Sequence, residues 1–191
     1  MKAKDVIAKA VVEASGADYA TAYAAAGDWL AAVRDRLARG YAVALRGACS
    51  LRVETMKVGA RRDPRTEEVV APREIRVLRA TPAKGDHLTT AVRETRGRLA
   101  SVIQETLGCL RRTALAVVDR ISRAVAGHLA DRRPFTFMNV GTVAWKTLPA
   151  GVRLDYKTGA ATAMPEREAL GVTVAKRFKA EVLAVTAGEG A

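Results

Sequence analysis

Cationic side chains cluster around a turn signal in the first half of the chain. The segment 57–66 reads Lys-Val-Gly-Ala-Arg-Arg-Asp-Pro-Arg-Thr. Asp-Pro favours a tight turn, and short apolar runs lie on both sides of it, so we expect a hairpin with cations near its tip. Guanidinium groups bind phosphate oxygens through paired, charge-assisted hydrogen bonds. The segment is therefore a candidate arm for binding a polyanion.

The whole chain is basic. Its 191 residues include 32 Lys and Arg against 20 Asp and Glu, which gives a net charge of +12 and a pI near 10.3. Such a balance favours a nucleic acid or an anionic membrane as partner. No run approaches the roughly 18 apolar residues of a membrane span, and no N-terminal apolar signal is visible. We therefore expect a cytoplasmic protein that does not bind membranes.

Arrangements typical of catalysis or metal binding are not visible. His87 and His128 form no ligand cluster, and Cys49 and Cys109 lie far apart among apolar neighbours, which is typical of small buried side chains. The sequence has no Gly-rich phosphate loop followed by Lys-Ser/Thr. We predict that the chain is not an enzyme and needs no cofactor or metal.

Helical periodicity and turn residues predict that a pair of helices precedes the arm in the sequence. Apolar residues recur at helical spacing on both sides of a Ser-Gly-Ala break, after which Asp18 is a candidate N-cap and Gly40 a candidate stop. Strands are predicted over 42–45, 50–53, 69–71 and 75–78. The second half repeats this order, with helices over 92–107 and 111–130, strands over 135–138, 142–145, 160–163 and 172–174, and a closing helix over 176–185.

The two halves match at a fixed distance along the chain. Leu37 and Leu129 are 92 residues apart, and the same offset joins Leu45 to Phe137 and Asp63 to Asp155 without a gap. A match of this length indicates an internal duplication. We divide the chain into 1–90 and 91–191, with a linker near 86–91.

Each half resembles the bacterial HU/IHF histone-like family. Leu37-Ala38-Arg39-Gly40 is similar to the family's Leu-Lys-Lys-Gly, and 59–67 is similar to its Arg-Asn-Pro-x-Thr-Gly arm tip. Lys157-Thr158-Gly159 keeps the end of that tip in the second, more divergent half. The resemblance implies an α+β fold: two tandem domains, each with a helix pair, a three-stranded antiparallel sheet with an extended β-arm, and a short C-terminal helix.

The resemblance also implies a function. The family binds and bends double-stranded DNA with β-arms in the minor groove, with weak sequence preference, and Pro64 matches the proline that wedges between base pairs. This predicts an architectural protein of the bacterial nucleoid. The DNA-binding residues it implies are Lys57, Arg61, Arg62, Pro64, Arg65, Arg73, Arg76, Arg79, Lys84, Lys146, Arg153, Tyr156, Lys157, Arg167, Lys176 and Arg177.

Several departures from the family pattern leave an alternative open. Glu54 and Met56 stand where the family usually has arginines, Glu67 replaces the tip glycine, and Tyr156 replaces the second wedge proline. These residues favour a scaffold or protein-interaction role in which the HU-like fold persists after its DNA surface has decayed. The +12 charge and the Arg61-Arg62 tip favour DNA.

The duplication raises the question of assembly. The fold normally covers its apolar helix faces in a two-fold interface, and a single repeat would leave Trp29, Leu30 and Val33 poorly covered. We expect either an intramolecular pseudo-dimer of the two repeats or a homodimer of chains.

Overall fold

A computed structural model describes residues 2–62, 69–83, 89–154 and 161–183. Its first half contains two helices, a three-stranded sheet and the base of a two-stranded arm. The elements of this half are α1 (Ala3–Ser15), α2 (Tyr19–Ala38), β1 (Val43–Leu45), β2 (Cys49–Val58), β3 (Arg61–Arg62), β4 (Val69–Val70) and β5 (Arg73–Pro82).

The second half repeats this order and adds a closing helix. Its elements are α3 (Thr90–Leu107), α4 (Arg111–Ala130), β6 (Phe135–Phe137), β7 (Gly141–Leu148), β8 (Gly151–Leu154), β9 (Ala161–Met164), β10 (Arg167–Val174) and α5 (Lys176–Phe178), which continues as a π-helical turn over Lys179–Leu183. The closing helix of the first repeat would fall on 84–88, outside the described residues.

Strand pairing confirms the duplication at the level of single residues. Val43 pairs with Leu51 in the first sheet, and Phe135 pairs with Val143 in the second. Leu51 also pairs with Ala80, and Val143 with Val172. Each partner lies 92 positions from its counterpart, so the offset read from the sequence extends through both sheets.

The helix boundaries follow the local sequence. Asp18 precedes α2, and its Oδ1 accepts a hydrogen bond from the Thr21 amide at 3.0 Å, as expected for an N-cap. Gly16 and Gly108 stand after α1 and α3 in the left-handed region, at φ 72° and 58°, where a side chain would be strained. Helix α3 begins at Thr90, so the last residues of the predicted linker are helical.

The two sheets lie side by side on one layer of helices. Their strand orders are β1-β2-β5 and β10-β7-β6, all antiparallel. Edge strands β5 and β10 lie next to each other, while α1 packs on α4 and α2 on α3. The repeats therefore meet along both their helices and their sheets.

One hydrophobic core joins both repeats. Trp29 is fully buried in the first repeat, and its ring stacks on Phe137 of the second repeat with centroids 6.5 Å apart. The buried Thr95 hydroxyl of α3 accepts a hydrogen bond from the Ala44 amide of β1 at 3.1 Å. Trp29, Leu30 and Val33 are thus covered within a single chain, as the pseudo-dimer arrangement requires.

Several observed strands are longer than the sequence predicted, whereas β1, β4 and β6 are each one residue shorter. Strand β2 runs to Val58 and β10 begins at Arg167, because cross-strand pairing extends the sheet into polar segments without a strong strand signal. Strand β8 was not predicted at all. Among the described residues, no helix is both long and apolar enough to cross a bilayer.

Candidate nucleic-acid interface

The sheets have one face against the helices and one face against solvent. Along β2, Cys49 and Leu51 are buried, whereas Arg52 between Leu51 and Val53 is exposed. Side chains alternate along a strand, so Arg52, Glu54 and Met56 lie on the outer face. Arg79 pairs with Arg52 and shares that face. In the second sheet, Lys146 occupies the corresponding outer surface of β7.

Each sheet continues into a hairpin arm. Arg61 pairs with Val70 and Arg62 with Val69, in register with the ladder of β2 and β5. In the second repeat, Arg153 pairs with Thr162. The described arm strands pack mainly on each other. Because the two sheets adjoin, both arms leave from one composite surface.

Three charged residues form a cluster on the outer face of the first sheet. The Glu54 carboxylate lies between two guanidinium groups: Oε1 contacts Arg52, and Oε2 accepts from Arg79 Nε at 2.8 Å. Arg79 Nη2 also lies 3.2 Å from the sulfur of Met56. The side chains of Arg52 and Arg79 are 56% and 50% exposed, and that of Glu54 is 23% exposed. Both arginines are accessible, but they share one carboxylate.

The corresponding place in the second sheet is built differently. Ala144, Lys146 and Gly171 stand 92 positions after Arg52, Glu54 and Arg79. A β-carbon at Gly171 would lie 2.5 Å from Cδ of Lys146, so the glycine makes room for the lysine stem to lie across the strand. Lys146 is exposed, and it has no ion pair among the described residues. At these three matched positions, each sheet carries one net positive charge.

Other predicted residues lie at the edges of this surface or away from it. Lys57 is 88% exposed at the base of the first arm, 3.8 Å from Glu74. Arg167 is exposed and pairs with Leu148 on the outer face. Arg76 pairs with Thr55 and lies on the helix-side face, opposite to Arg79. Its role in DNA binding stays a prediction.

The two basic residues of the closing helix differ in their partners. Lys176 is exposed at its start. Arg177 Nε donates to Glu181 Oε1 at 2.6 Å, and this hydrogen bond raises the pKa of the guanidinium. Glu181 also contacts Arg34 of the first repeat. Arg177 therefore belongs in part to the contact between repeats.

The remaining predicted residues lie partly or wholly outside what the structure describes. The backbone of four of them is described in strands, but their side chains are not: Arg61, Arg62, Arg73 and Arg153. Five others fall outside the described residues: Pro64, Arg65, Lys84, Tyr156 and Lys157. Their roles stay predictions from the family resemblance.

Sequence reasoning missed Arg52 and Gly171 as members of the surface. A signal for Arg52 was present, because Leu51 and Val53 flank it and period-two alternation places it outward. The contact of Glu54 with two arginines had no such signal, since it depends on the pairing of β2 with β5. The role of Gly171 depends likewise on Lys146, which lies on the neighbouring strand β7.

A comparison with protein families agrees with the tandem architecture. The family described as bacterial DNA-binding protein matches twice, over 1–88 and 95–183. No curated protein matches. Among solved structures, a co-crystal of Anabaena HU with DNA is 17% identical, covering 46% of this chain and 95% of that one with a TM-score of 0.37. Because the family matches cover most of the sequence in two successive copies, this chain belongs to the bacterial DNA-binding protein family as a tandem repeat of its HU-like unit.

Proposed function

We propose that the chain binds double-stranded DNA across the outer face of its two sheets, with one arm on each side of the duplex. The observation that carries this proposal is the composite surface: two adjoining sheets, each continuing in register into an arm. Family membership supports the same partner. In this arrangement one chain supplies what two HU-like subunits would otherwise supply together.

Binding would be driven largely by electrostatics. Cationic side chains that contact phosphates release condensed counterions, so affinity falls as salt rises. The arms would enter the minor groove, where Pro64 would unstack a base step at a cost of a few kcal/mol and allow the bent duplex to contact more protein. Such contacts depend on groove width and deformability more than on base identity. We therefore propose weakly specific, architectural binding in the nucleoid.

In the proposed division into 1–90 and 91–191, each domain carries one arm, and we propose that the two arms have unequal roles. The first keeps Pro64 and the Arg61-Arg62 pair, while the second has Tyr156 in place of proline. We propose that the first arm makes the stronger contact and is the main site of the kink. We also propose that the chain has no catalytic activity, since its family is one of DNA-binding proteins.

Arm variants test this function. We expect R61A/R62A to weaken binding to a duplex of about 35 base pairs by tenfold or more at 0.1 M salt, since two phosphate contacts are removed. R112A/R123A is the control, because it removes the same charge from exposed positions of α4. P64A should keep most of the affinity but reduce bending, measured by energy transfer between dyes at the duplex ends.

A scaffold role is the competing function, and the pairing of Glu54 with two surface arginines favours it. If the arm and control variants bind equally weakly, the arms do not contact DNA. Wild-type protein that fails to bind any duplex at low salt would leave the scaffold role as the better account.

A further inference from the structure

We propose that Glu54 is an internal competitor of the DNA backbone, which holds Arg52 and Arg79 until phosphates displace it. This inference rests on the proposed DNA binding and adds a residue that sets its strength. In the free protein, the charged groups of Arg52 and Arg79 both pair with the carboxylate of Glu54. On DNA, the two guanidinium groups would exchange the shared carboxylate for phosphate oxygens.

Strand register explains why a carboxylate stands at this position. Arg52 and Arg79 are directly opposed across β2 and β5, and like charges in opposed positions of a sheet destabilise it. Glu54 is two residues from Arg52 on the same face, so it reaches both guanidinium groups. The carboxylate thus relieves repulsion in the free protein and occupies donors that a phosphate could use.

The cluster is exposed enough to open. Ion pairs between exposed side chains contribute little to stability, and both arginines here are at least half exposed. A phosphate offers the same kind of bidentate acceptor as a carboxylate. DNA can therefore displace Glu54, but the repulsion between Glu54 and the phosphates remains as a penalty on binding.

The second sheet lacks a carboxylate held between two arginines at the corresponding positions. Lys146 stands at the position of Glu54, and Ala144 and Gly171 replace the two arginines. Lys146 has no acidic partner among the described residues, so it is available to phosphates at once. The two halves have the same net charge in this patch, but only the first half must break contacts to bind.

Replacing Glu54 by its neutral isostere tests the proposal. E54Q should bind a duplex of about 35 base pairs roughly tenfold more tightly at 0.1 M salt, because the arginines no longer have to leave a carboxylate. No displaced carboxylate then retains a cation beside the phosphates, so binding releases about 0.9 more counterion. The slope of log Kobs against log salt should become steeper by about one. E54A gives a second variant, and the unfolding midpoint of each shows that the fold is intact.

E13Q is the matched control. It makes the same change in net charge, but Glu13 lies on α1 and pairs with Arg120 on α4, in the helical layer. We expect less than about a twofold effect, since charges farther from the duplex than about 10 Å are largely screened at 0.1 M salt. Equal effects of E54Q and E13Q would overturn the proposal.

A double-mutant background separates competition from simple repulsion. When E54Q is introduced into R52Q/R79Q, the gain in affinity should be clearly smaller than in the wild-type background, because only the repulsion between Glu54 and the phosphates is then removed and no guanidinium is released. A gain as large as in the wild-type background would overturn the competitor mechanism. If neither wild type nor E54Q binds DNA at about 50 mM salt, the proposed function itself fails and the inference falls with it.

Discussion

Side chains of one type differ sharply in environment along this chain, and the two cysteines show it best. Cys49 is buried on the helix side of β2, next to the strand turn, whereas Cys109 is only partly buried between α3 and α4. Burial raises the pKa of the Cys49 thiol to about 12. Since the thiolate is the reactive form, Cys49 should be inert in the folded protein.

Thiol counting tests this expectation. At pH 8, an aromatic disulfide reagent should modify Cys109 in the native protein and reach Cys49 only after denaturant is added. C109S should then show no fast reaction. Rapid modification of Cys49 in native C109S would mean that the first sheet opens far more readily than its packing indicates.

Residue-level expectations succeeded where the cause is local. Asp18 accepts the first-turn amide at its N-cap because the short carboxylate reaches a free N–H two or three residues ahead. Gly40 adopts φ 82° after α2, as a stop residue should. Arg76 shows the limit of such reasoning: its charge is visible in the sequence, but its face depends on strand register.

At the scale of elements, the glycines of β7 and α4 have opposite consequences. A β-carbon at Gly141 would lie 2.5 Å from the carbonyl oxygen of Thr173, whereas one at Gly127 would meet open space. G141A should therefore lower the free energy of unfolding by about 1–3 kcal/mol, because the backbone of β10 must shift. G127A should raise it by about 0.5–1 kcal/mol, since alanine favours a helix interior.

Urea denaturation monitored by circular dichroism compares these two variants directly. Both variants add a single methyl group, so a difference in their stability reports on the surroundings of that methyl group. A G141A variant as stable as G127A would show that β7 and β10 do not approach as closely as described.

Helices were easier to predict than strands, for a physical reason. The bounds of α4 follow from its apolar stripe at helical spacing, which is encoded within one segment. Strands β2 and β10 extend into polar sequence because their stability comes from partners distant in the chain. The arms could be located from the Asp-Pro turn and the family resemblance, but their registers required the structure.

The molecule as a whole is one core built from two repeats. Trp29 and Phe137 stack across the repeat boundary, and Arg36 pairs with Glu94 at 3.2 Å. The internal duplication could be read from the sequence, because the 92-residue offset persists through matched residues. The sequence could not show whether each apolar face is covered by the same chain or by a second one, since a homodimer of chains satisfies the same pattern.

Sedimentation equilibrium distinguishes the two assemblies. Because one chain already covers Trp29, Leu30 and Val33, we expect a mass near that of one chain, 20.4 kDa, across a wide range of protein concentrations. F137A serves as a probe of the shared core, and it should lower stability without raising the mass. A stable mass of two chains would contradict the single-chain pseudo-dimer.

The most direct test of DNA binding through this surface is a salt series with wild-type protein and a duplex of about 35 base pairs. We expect micromolar or tighter affinity at about 50 mM salt, with a log–log slope of about −4 or steeper up to 200 mM, as several phosphate contacts require. Absence of binding at about 50 mM, or an affinity independent of salt, would contradict the account.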